Sequence, residues 1–356
     1  MRLIILNYSM DSRNMVFSHQ LQTVAALATY FETIDVFSPQ TSDDLIPQNV
    51  TVHKLRWVTN SPIRNSFRIL RTLYPFLIRN RKSIVFSHMT DVHAALISPL
   101  TWFLNMRHVL WYAHAKSSLY LTWSSFFVDK IVSSTYGSCT LKVNRTKISY
   151  INQGISSLDF PFSKPIRESL FKLFYYGRLD QSKNIHSLIE VIEILNRQNL
   201  DYSLDIFGDS AKSESSTYLD RLKKRVLREN MHNIRFHQSI LRKEIPAISK
   251  NFDLFINLFS GSLDKTLIEA TFMGFPVITW NQEFCREFGT WSGKPPAEDL
   301  QFILNEISAL HSKSFVEIQT EISRRLNCAL KSHSFDIWIG KLFHAITEEK
   351  PTRSRQ

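Results

Sequence analysis

The sequence has few of the features that mark several large classes of protein. Its three cysteines are odd in number and widely spaced, with no CxxC pair, which argues against a disulfide framework or a zinc site and fits a reducing cytosol. No apolar run reaches the roughly 20 residues of a transmembrane helix, and the apolar start is too short for a signal peptide. No GxGxxG follows an expected strand, which argues against a nicotinamide-dependent dehydrogenase.

The composition predicts a large folded protein with a basic first half. Of the 356 residues, 44% are hydrophobic and 21% are charged, which is enough core material for two domains of ordinary size. Residues 1–160 contain 16 Lys and Arg against 8 Asp and Glu, whereas residues 161–356 contain 27 against 24. The basic half either suits a phosphate-bearing partner, such as a nucleotide, a nucleic acid or an anionic membrane, or is an ordinary solvated surface.

Strand and helix patterns alternate in two successive series. The first series has strand patterns at 3–6, 34–37, 52–57, 83–87, 108–112, 130–134 and 148–151, with helical patterns at 16–31, 66–78 and a stretch ending at 104. The second has strand patterns at 173–176, 203–207, 234–236, 254–257 and 277–279, with helical patterns at 184–198, 215–229 and 266–273. Such alternation predicts an α/β fold with two Rossmann-like units, each built on a parallel sheet covered on both faces.

Two loops of the second series follow strands and could meet a ligand. After the first strand, Gly177 permits a tight turn, and Arg178 and Lys183 place two cations beside the start of a helix, a natural site for a diphosphate. The alternative is a solvated basic turn. After the second strand, Gly208-Asp209 is a weaker signal that is also typical of a simple turn.

A third loop opens a helix with small residues. It spans residues 260–265, where free backbone N–H groups could bind a phosphate. Glu269 in the helix could accept hydrogen bonds from the two hydroxyls of a ribose. Alternatively, Thr266 and Glu269 have the spacing of a capping box, in which Glu269 would serve only its own helix.

The order and spacing of these motifs resemble the donor domain of glycosyltransferase family 4. The motifs are GRLDxxKN, a strand that ends in GD, and SGSLDKxxIEAxxxGxPV. In the first half YSMD at 8–11, VFSHQ at 16–20, VFSH at 85–88 and LWYAH at 110–114 are also similar to the family, and the resemblance covers about residues 1–345. It implies the GT-B fold, with two Rossmann-like domains whose parallel sheets face each other across a cleft. The implied domains are 1–160 on the acceptor side, 161–330 for the nucleotide-sugar donor, and a helix in 331–350 that crosses back to the first domain.

The resemblance also implies residue roles. Arg178 and Lys183 would neutralise the donor phosphates, Glu269 would hold the ribose, and backbone amides near Asp264 and Lys265 would meet the distal phosphate. His114 would face the donor sugar. The implied catalytic set is His114, Arg178, Lys183 and Glu269, and the implied donor-binding set is Gly177, Arg178, Lys183, Gly208, Asp209, Ser262, Leu263, Asp264, Lys265 and Glu269. The family retains anomeric configuration and needs no metal or other cofactor, because the cations replace a metal; the nucleotide-diphosphate sugar is a co-substrate.

Two departures from the family pattern affect the site. The family often has a glutamate where this chain has Gly261, so Ser262 and Asp264 become the candidates for contacting the sugar hydroxyls. The usual glycine-rich loop after the first strand is also absent, since residues 7–14 contain no glycine. His114 has an alternative role as a half-buried histidine bonded to the backbone, and His19 is a weaker acceptor-side candidate.

Residues 63–82 combine basic and apolar side chains at helical spacing. They predict either a peripheral contact with a membrane surface or an ordinary amphipathic helix with a solvated basic face. The most specific hypothesis is a retaining glycosyltransferase, either free in the cytoplasm or peripheral on the inner face of a membrane. It would use a UDP- or GDP-linked sugar and a glycan or lipid-linked acceptor in surface polysaccharide or lipopolysaccharide assembly. The alternatives are a nucleotide-sugar epimerase or hydrolase on the same scaffold and a non-enzymatic basic binding protein; no nucleic-acid partner is expected.

Overall fold

The computed structural model describes residues 1–13, 17–42, 44–58, 61–162, 170–210 and 213–349. These residues divide into two units. The first comprises Met1–Asn152 and the described residues from Asp336 onward, and the second comprises Gln153–Phe335.

The first unit has a main sheet of seven parallel strands, and two further short strands pair apart from it. Its strands are β1 (Arg2–Leu6), β2 (Ser9–Met10), β3 (Thr33–Ser38), β4 (Gln40–Thr41), β5 (Val50–Lys54), β6 (Ile84–His88), β7 (His108–Trp111), β8 (Lys130–Ser133) and β9 (Ile148–Tyr150). Its first four helices are α1 (Ser18–Leu27), α2 (Pro62–Arg79), α3 (Asp91–Phe103) and α4 (Leu119–Phe127), and 3-10 turns lie at Tyr136–Ser138 and Arg145–Lys147. The main sheet has the order β5-β3-β1-β6-β7-β8-β9, and β2 pairs with β4 apart from it.

The second unit repeats the same plan with five parallel strands. They are β10 (Lys172–Tyr176), β11 (Ser203–Phe207), β12 (Ile234–His237), β13 (Leu254–Ile256) and β14 (Val277–Ile278), in the order β12-β11-β10-β13-β14. Its helices are α5 (Ile185–Arg197), α6 (Ser213–Arg228), α7 (Ile245–Ser249), α8 (Lys265–Phe272), α9 (Gln282–Phe288), α10 (Leu300–His311) and α11 (Phe315–His333), with 3-10 turns at Gln181–Lys183 and Arg242–Glu244.

Side-chain alternation explains why the second sheet is covered on both faces. Along β10, Leu173 and Tyr175 point into one apolar cluster, whereas Phe174 and Tyr176 point into another. Successive side chains of a strand point to opposite faces, so a strand that is apolar at every position needs helices on both sides. The prediction of an α/β fold with parallel sheets is confirmed.

The strand order fixes where a ligand can bind in each unit. In the second sheet the order reverses between β10 and β13, and in the first sheet it reverses between β1 and β6. The loops that leave the carboxyl ends of two such strands diverge to opposite faces and leave a crevice between them. In the second unit these are the loops after β10 and β13, which contain the first and third sequence motifs.

The chain ends with α12 (Phe335–Thr347), which packs on the first unit. Trp338 stands edge-on to Trp111 with ring centroids 5.2 Å apart, and the Arg107 guanidinium donates to the Ala345 carbonyl at 3.1 Å. The ring of Phe343 stacks on that of Tyr30 with centroids 4.5 Å apart. This terminal helix therefore shares the first unit's core.

The units divide at 152/153 and 335/336, whereas the sequence predicted 160/161 and 330/331. The reason is a short pairing within the second unit. The Ile155 N–H donates to the His333 carbonyl at 3.0 Å, and the Phe335 N–H donates to the Ile155 carbonyl at 2.9 Å. These contacts attach residues 153–160 to the end of α11. Of the ranges predicted as helices, residue 16 and, in 331–350, residue 350 lie outside the described residues.

Candidate active site

Two glycines bring the loops after β10 and β11 into direct contact. The Gly177 N–H donates to the Phe207 carbonyl at 3.0 Å. A Cβ on Gly208 would lie 1.9 Å from the carbonyl oxygen of Gly177, so no larger residue fits at position 208 without moving the backbone. The turn at Gly208-Asp209 therefore constrains the path of the neighbouring motif.

Arg178 and Asp209 lie at the surface of this pair of loops. The Arg178 carbonyl accepts a hydrogen bond from the Tyr175 hydroxyl at 3.1 Å, which fixes the backbone, while the guanidinium stays exposed and lies 3.6 Å from an oxygen of Asp180. The Asp209 carboxylate accepts the backbone N–H of Ser239 at 3.2 Å. Arg178 is thus a cation available to a ligand, whereas Asp209 stabilises an adjacent loop.

Lys183 connects the first motif to the third. Its ammonium lies 2.6 Å from Oδ2 of Asp264 and 3.8 Å from the centroid of the Phe259 ring, and the side chain is buried. The next residue, Asn184, donates from its side-chain amide to the Leu258 carbonyl at 2.8 Å. The two loops that flank the crevice of the second sheet are thereby joined.

Asp264 caps helix α8 and remains ionised beside Lys183. Its Oδ1 accepts the backbone N–H of Thr266 at 3.3 Å, and its Oδ2 also accepts from the Asn257 side chain at 3.1 Å. Burial acts to raise the pKa of Asp264, but the Lys183 charge and these hydrogen bonds outweigh it and hold the pKa below the ordinary value. The carboxylate therefore orients the lysine and the helix start together.

The capping-box alternative for Glu269 is wrong. Because Asp264, not Thr266, is the N-cap, Glu269 lies in the fifth position of α8, too far along to bond the helix start. Instead its buried carboxylate accepts the Tyr176 hydroxyl at 2.9 Å and the Arg242 guanidinium at 2.7 Å. Glu269 is a carboxylate held from two sides at the edge of the site.

The loop 260–263 is fixed by its neighbours. The side-chain amide of Asn281 donates to the Phe259 and Gly261 carbonyls, each at 3.0 Å. The Leu263 N–H donates to Glu283 at 2.6 Å, and the Leu263 carbonyl accepts from Gln153 at 2.9 Å. Both backbone groups of Leu263 are thus engaged within the protein, so its predicted role in binding a phosphate is not supported by this geometry.

Gly261 has a steric reason to be glycine. A Cβ at this position would lie 2.1 Å from the ring of Phe259, the ring on which the Lys183 ammonium rests. A glutamate here would have to displace that ring. The contact between Phe259 and Lys183 and the glycine at position 261 are therefore parts of one local arrangement.

The site carries several positive charges. Lys265 begins α8 with an exposed side chain, and its pKa is lowered, first by desolvation among the surrounding protein atoms and then by the Arg242 guanidinium. Arg178 and Lys183 add two more cations. A cluster of cations at a helix start favours the binding of an anion. In the described parts of the chain, no three His, Cys, Asp or Glu side chains gather in a group that could hold a metal.

The first unit contains the other predicted residues. His114 is exposed, with its ring 6.4 Å from that of Tyr112, so the alternative of a half-buried histidine does not hold. His19 is half-buried and stands edge-on to His88 at 5.6 Å. In the loop without glycine, the side chain of Gln20 accepts the N–H groups of residues 8 and 9 at 2.9 and 3.0 Å.

The predicted helix of residues 63–82 is α2, which runs from Pro62 to Arg79. It buries Asn65, Ile69, Leu73 and Leu77, one residue per turn. Ile63, Phe67 and Ile78 remain exposed although they are apolar. Of the helices described, none is long and apolar enough to cross a bilayer.

The chain was compared with known families and structures. Residues 157–289 match the family model of glycosyl transferases group 1. Over 98% of its length the chain superposes on all of HepE from Anabaena, solved with UDP, with a TM-score of 0.74 at 13% identity. It is also similar to sucrose-phosphate synthase from Thermosynechococcus elongatus, with a TM-score of 0.74 at 12% identity over 97% of this chain and 98% of that one.

The fold is GT-B. A third similar structure, the lipopolysaccharide outer core galactosyltransferase WaaB, gives a TM-score of 0.67 at 12% identity over 97% of this chain and 99% of the other. No curated protein sequence matches the chain. The predicted GT-B fold is confirmed, and the resemblance to group 1 glycosyltransferases is confirmed for the segment that carries all three motifs of the second unit.

Sequence reasoning missed the residues that orient this GT-B site. Arg242 lies in a 3-10 turn 27 positions before its partner Glu269, and nothing in its local sequence marks it. Asn281 sits beyond the last motif but holds the loop of the third one. Tyr176 is the last residue of a predicted strand. Its hydroxyl is a polar group at the strand's carboxyl end, and this is the signal that could have marked it as a site residue.

Proposed function

We propose that the chain is a glycosyltransferase that moves a sugar from a nucleotide-diphosphate sugar to a glycan or lipid-linked acceptor. The observation that carries the proposal is the joining of Lys183 and Asp264 across the crevice of the second sheet, with Arg178 exposed beside them. This cluster lies inside the segment that matches group 1 glycosyl transferases. Arg178 and Lys183 would bind the diphosphate, and helix α8 would add the positive end of its dipole.

The nucleotide is expected to be UDP or GDP. The solved structures of HepE contain UDP, UDP with glucose, and UDP-glucose, which supports testing UDP first. We propose that Glu269 accepts the ribose hydroxyls. Tyr176 and Arg242 each donate to one of its two oxygens and hold the carboxylate in one orientation, so the ribose hydroxyls would donate to the remaining lone pairs.

Catalysis would stabilise the charge that develops on the leaving diphosphate. When the bond between the anomeric carbon and the phosphate oxygen breaks, negative charge grows on that oxygen, and the two cations interact with it more strongly than in the ground state. We propose front-side attack with retention, in which the acceptor hydroxyl gives its proton to the leaving phosphate oxygen. Because Arg178 and Lys183 supply the positive charge, no metal would be required.

The remaining assignments belong to the same proposal. Ser262 and Asp264 would contact the donor sugar, together with His114 of the first domain. The first unit would bind the acceptor and the second the donor, so the predicted ranges 1–160 and 161–330 shift to the observed boundaries, and the predicted helix in 331–350 is α12 of the first unit. The setting would be surface polysaccharide or lipopolysaccharide assembly on the cytoplasmic side of a membrane, with residues 63–82 contacting the lipid surface.

A donor-consumption assay tests the proposal. The purified full chain is incubated in EDTA with UDP- and GDP-sugars and a lipid-linked acceptor extract, and the release of nucleoside diphosphate is followed. We expect release with one donor, loss of at least about a hundredfold in Glu269→Ala, and no change in Leu227→Ala, which lies exposed on α6.

Two results would contradict the proposal. One is an absence of turnover for every donor, with or without added magnesium. The other is full activity in a folded Glu269→Ala variant. Release without an acceptor would instead favour a nucleotide-sugar hydrolase, and proton NMR of the product would read its anomeric configuration.

A further inference from the structure

The positive charge of the chain is concentrated in one segment. Residues 45–158 contain 14 Lys and Arg but only two acidic residues, Asp91 and Asp129, so the segment has a formal charge of +12, whereas the whole chain has +11. The segment includes α2, α3 and α4 of the first unit. A field of one sign over a whole face of a domain attracts anionic surfaces.

Helix α4 within this segment is apolar on its outer face. Its nine residues, LYLTWSSFF, carry no charge. The inner face buries Leu121 together with two serines, whereas the outer face leaves Leu119 87%, Tyr120 52%, Trp123 52% and Phe126 55% exposed. This arrangement reverses the usual one for a surface helix, which turns its apolar residues inward.

The apolar surface continues onto the end of α3. Phe103 is 79% exposed and Trp102 is exposed beside it. The ring of Phe127 links the two helices, with its centroid 6.3 Å from that of Trp102 and 5.0 Å from that of Trp123. The aromatic residues of α3 and α4 therefore form one contiguous patch, larger than single exposed residues would produce.

Basic residues border this aromatic patch. The Lys147 ammonium caps the end of α4 by binding the carbonyls of Ser125 and Val128 at 2.8 and 2.9 Å, which positions the neighbouring turn with exposed Arg145. At the other end of α4, exposed Lys116 follows the strand β7, beside the turn that contains Lys142. Cations thus lie at both ends of the helix.

Helix α2 adds further exposed apolar and basic residues. It packs on α3, where the Tyr74 hydroxyl donates to the Leu96 carbonyl at 3.0 Å, and α3 in turn packs on α4. The outer side of α2 exposes Ile63 and Phe67 together with Arg64 and Arg71. The three helices form one layer, which we call the α2–α4 face.

We propose that the α2–α4 face binds the surface of an anionic lipid bilayer, with the aromatic residues of α4 inserted at the level of the headgroups and the basic residues of α2 paired with lipid phosphates. Tryptophan and tyrosine favour this depth because their rings are apolar and their polar groups remain wet. Apolar insertion combined with basic residues is the interaction that holds monotopic proteins on a membrane. A second copy of the chain is a poor occupant, because two copies of a segment with a formal charge of +12 would repel each other.

A vesicle flotation experiment tests this proposal with the full chain. We expect binding to vesicles of equimolar phosphatidylcholine and phosphatidylglycerol, and little binding to phosphatidylcholine alone. Leu119→Glu/Phe126→Glu should weaken binding at least about tenfold. Its matched control, Leu227→Glu/Val316→Glu, adds the same charge at exposed apolar sites of the second unit and should bind like the wild type.

The separate contribution of charge is read from Arg64→Gln/Arg71→Gln, which should weaken binding to the anionic vesicles about tenfold. Circular dichroism and nucleotide binding verify that each variant is folded, and they also separate this proposal from that of the donor site. The proposal is overturned if the wild type ignores anionic vesicles, if it binds neutral vesicles equally well, or if Leu119→Glu/Phe126→Glu binds like its control. It is also overturned if the wild type is a dimer without lipid and this variant is a monomer, since the face would then be a protein interface.

Discussion

Replacing Lys183 by methionine removes one charge of a buried pair while keeping most of the packing. Lys183 lies 2.6 Å from an oxygen of Asp264, and both side chains are largely buried. Methionine has a similar unbranched length, and its sulfur packs favourably on an aromatic ring such as that of Phe259. The change therefore isolates the loss of the ammonium.

The expected loss of unfolding free energy is about 2–3 kcal/mol near neutral pH. Removing one partner of a buried ion pair usually costs about 3–5 kcal/mol, because the other charge is left without compensation. In the variant Asp264 keeps hydrogen bonds from Asn257 and from the Thr266 N–H, at 3.1 and 3.3 Å. Because these bonds still stabilise the carboxylate, the loss of unfolding free energy should lie at or below the lower end of that range. The second change Asp264→Asn should restore about half of the loss, since asparagine also caps helices well.

Urea unfolding at several pH values tests the physical cause. In the wild type the pKa of Asp264 is below its ordinary value, so the pair's contribution to stability is complete above the ordinary aspartate pKa and is lost as pH falls through the lower pKa of the folded state. In Lys183→Met, burial acts without the lysine charge, so Asp264 should protonate at a higher pH. The deficit of the variant should therefore shrink as pH is lowered from neutral towards 5.

Two outcomes would refute this reasoning. The first is a deficit that stays constant over this pH range, since an uncompensated carboxylate must become cheaper to bury as it protonates. The second is additivity of Lys183→Met and Asp264→Asn within about 0.3 kcal/mol, which would mean that the two side chains do not interact.

Three further predictions concern the same unit. Arg242→Ala should remove most of the preference for UDP over 2′-deoxy-UDP in competition binding, about tenfold, because the guanidinium orients the carboxylate proposed to bind the ribose; an unchanged preference would exclude that role. Gly208→Ala should lower the unfolding free energy by about 3 kcal/mol or more in denaturant titrations, since its Cβ would lie 1.9 Å from the Gly177 oxygen. Gly293→Ala, with nothing within 4 Å of the new Cβ, should cost only about 1 kcal/mol, and equal losses would contradict the steric argument. Arg178→Ala should keep the melting temperature of the free protein but lose the rise that a nucleoside diphosphate produces in EDTA; retention of that rise would show that this exposed cation does not bind phosphate.

Much of the fold and part of the site follow from local sequence. Buried strands such as β1 and β10 are short continuous apolar runs, and each functional loop begins directly after such a run. The order of the motifs resembles a known family, and that resemblance implies that Lys183 and the loop of Asp264 meet the same diphosphate; in the structure the two side chains lie 2.6 Å apart. The strands needed only periodicity, whereas the shared role of the two loops came from the resemblance.

Contacts between distant loops could not be predicted in this way. The pairing of Arg242 with Glu269 depends on how two turns approach each other, which no spacing rule describes. The capping-box hypothesis failed because two residues near the helix start, Asp264 and Thr266, both have capping side chains, and the local pattern does not decide between them.

Helix α4 was missed for a related reason. Its outer face is apolar, so the sequence lacks the alternation of polar and apolar faces by which a surface helix is detected. An exposed apolar face of this kind does not contradict the rules of folding, because a side chain can be apolar in order to contact a partner outside the chain. Only the observed burial of Leu121 and exposure of Trp123 separate the two faces.

The central claim is that the loops joined by Lys183 and Asp264 bind the diphosphate of a nucleotide sugar. It is tested most directly by calorimetry of the full chain in EDTA, with the nucleoside diphosphate that stabilises it most and the matching monophosphate. The diphosphate should bind at least about tenfold more tightly, and Lys183→Met and Arg178→Ala should each reduce that ratio while Leu227→Ala leaves it unchanged. Equal affinity for the two nucleotides, or a ratio that survives both substitutions, would contradict the assignment of this site.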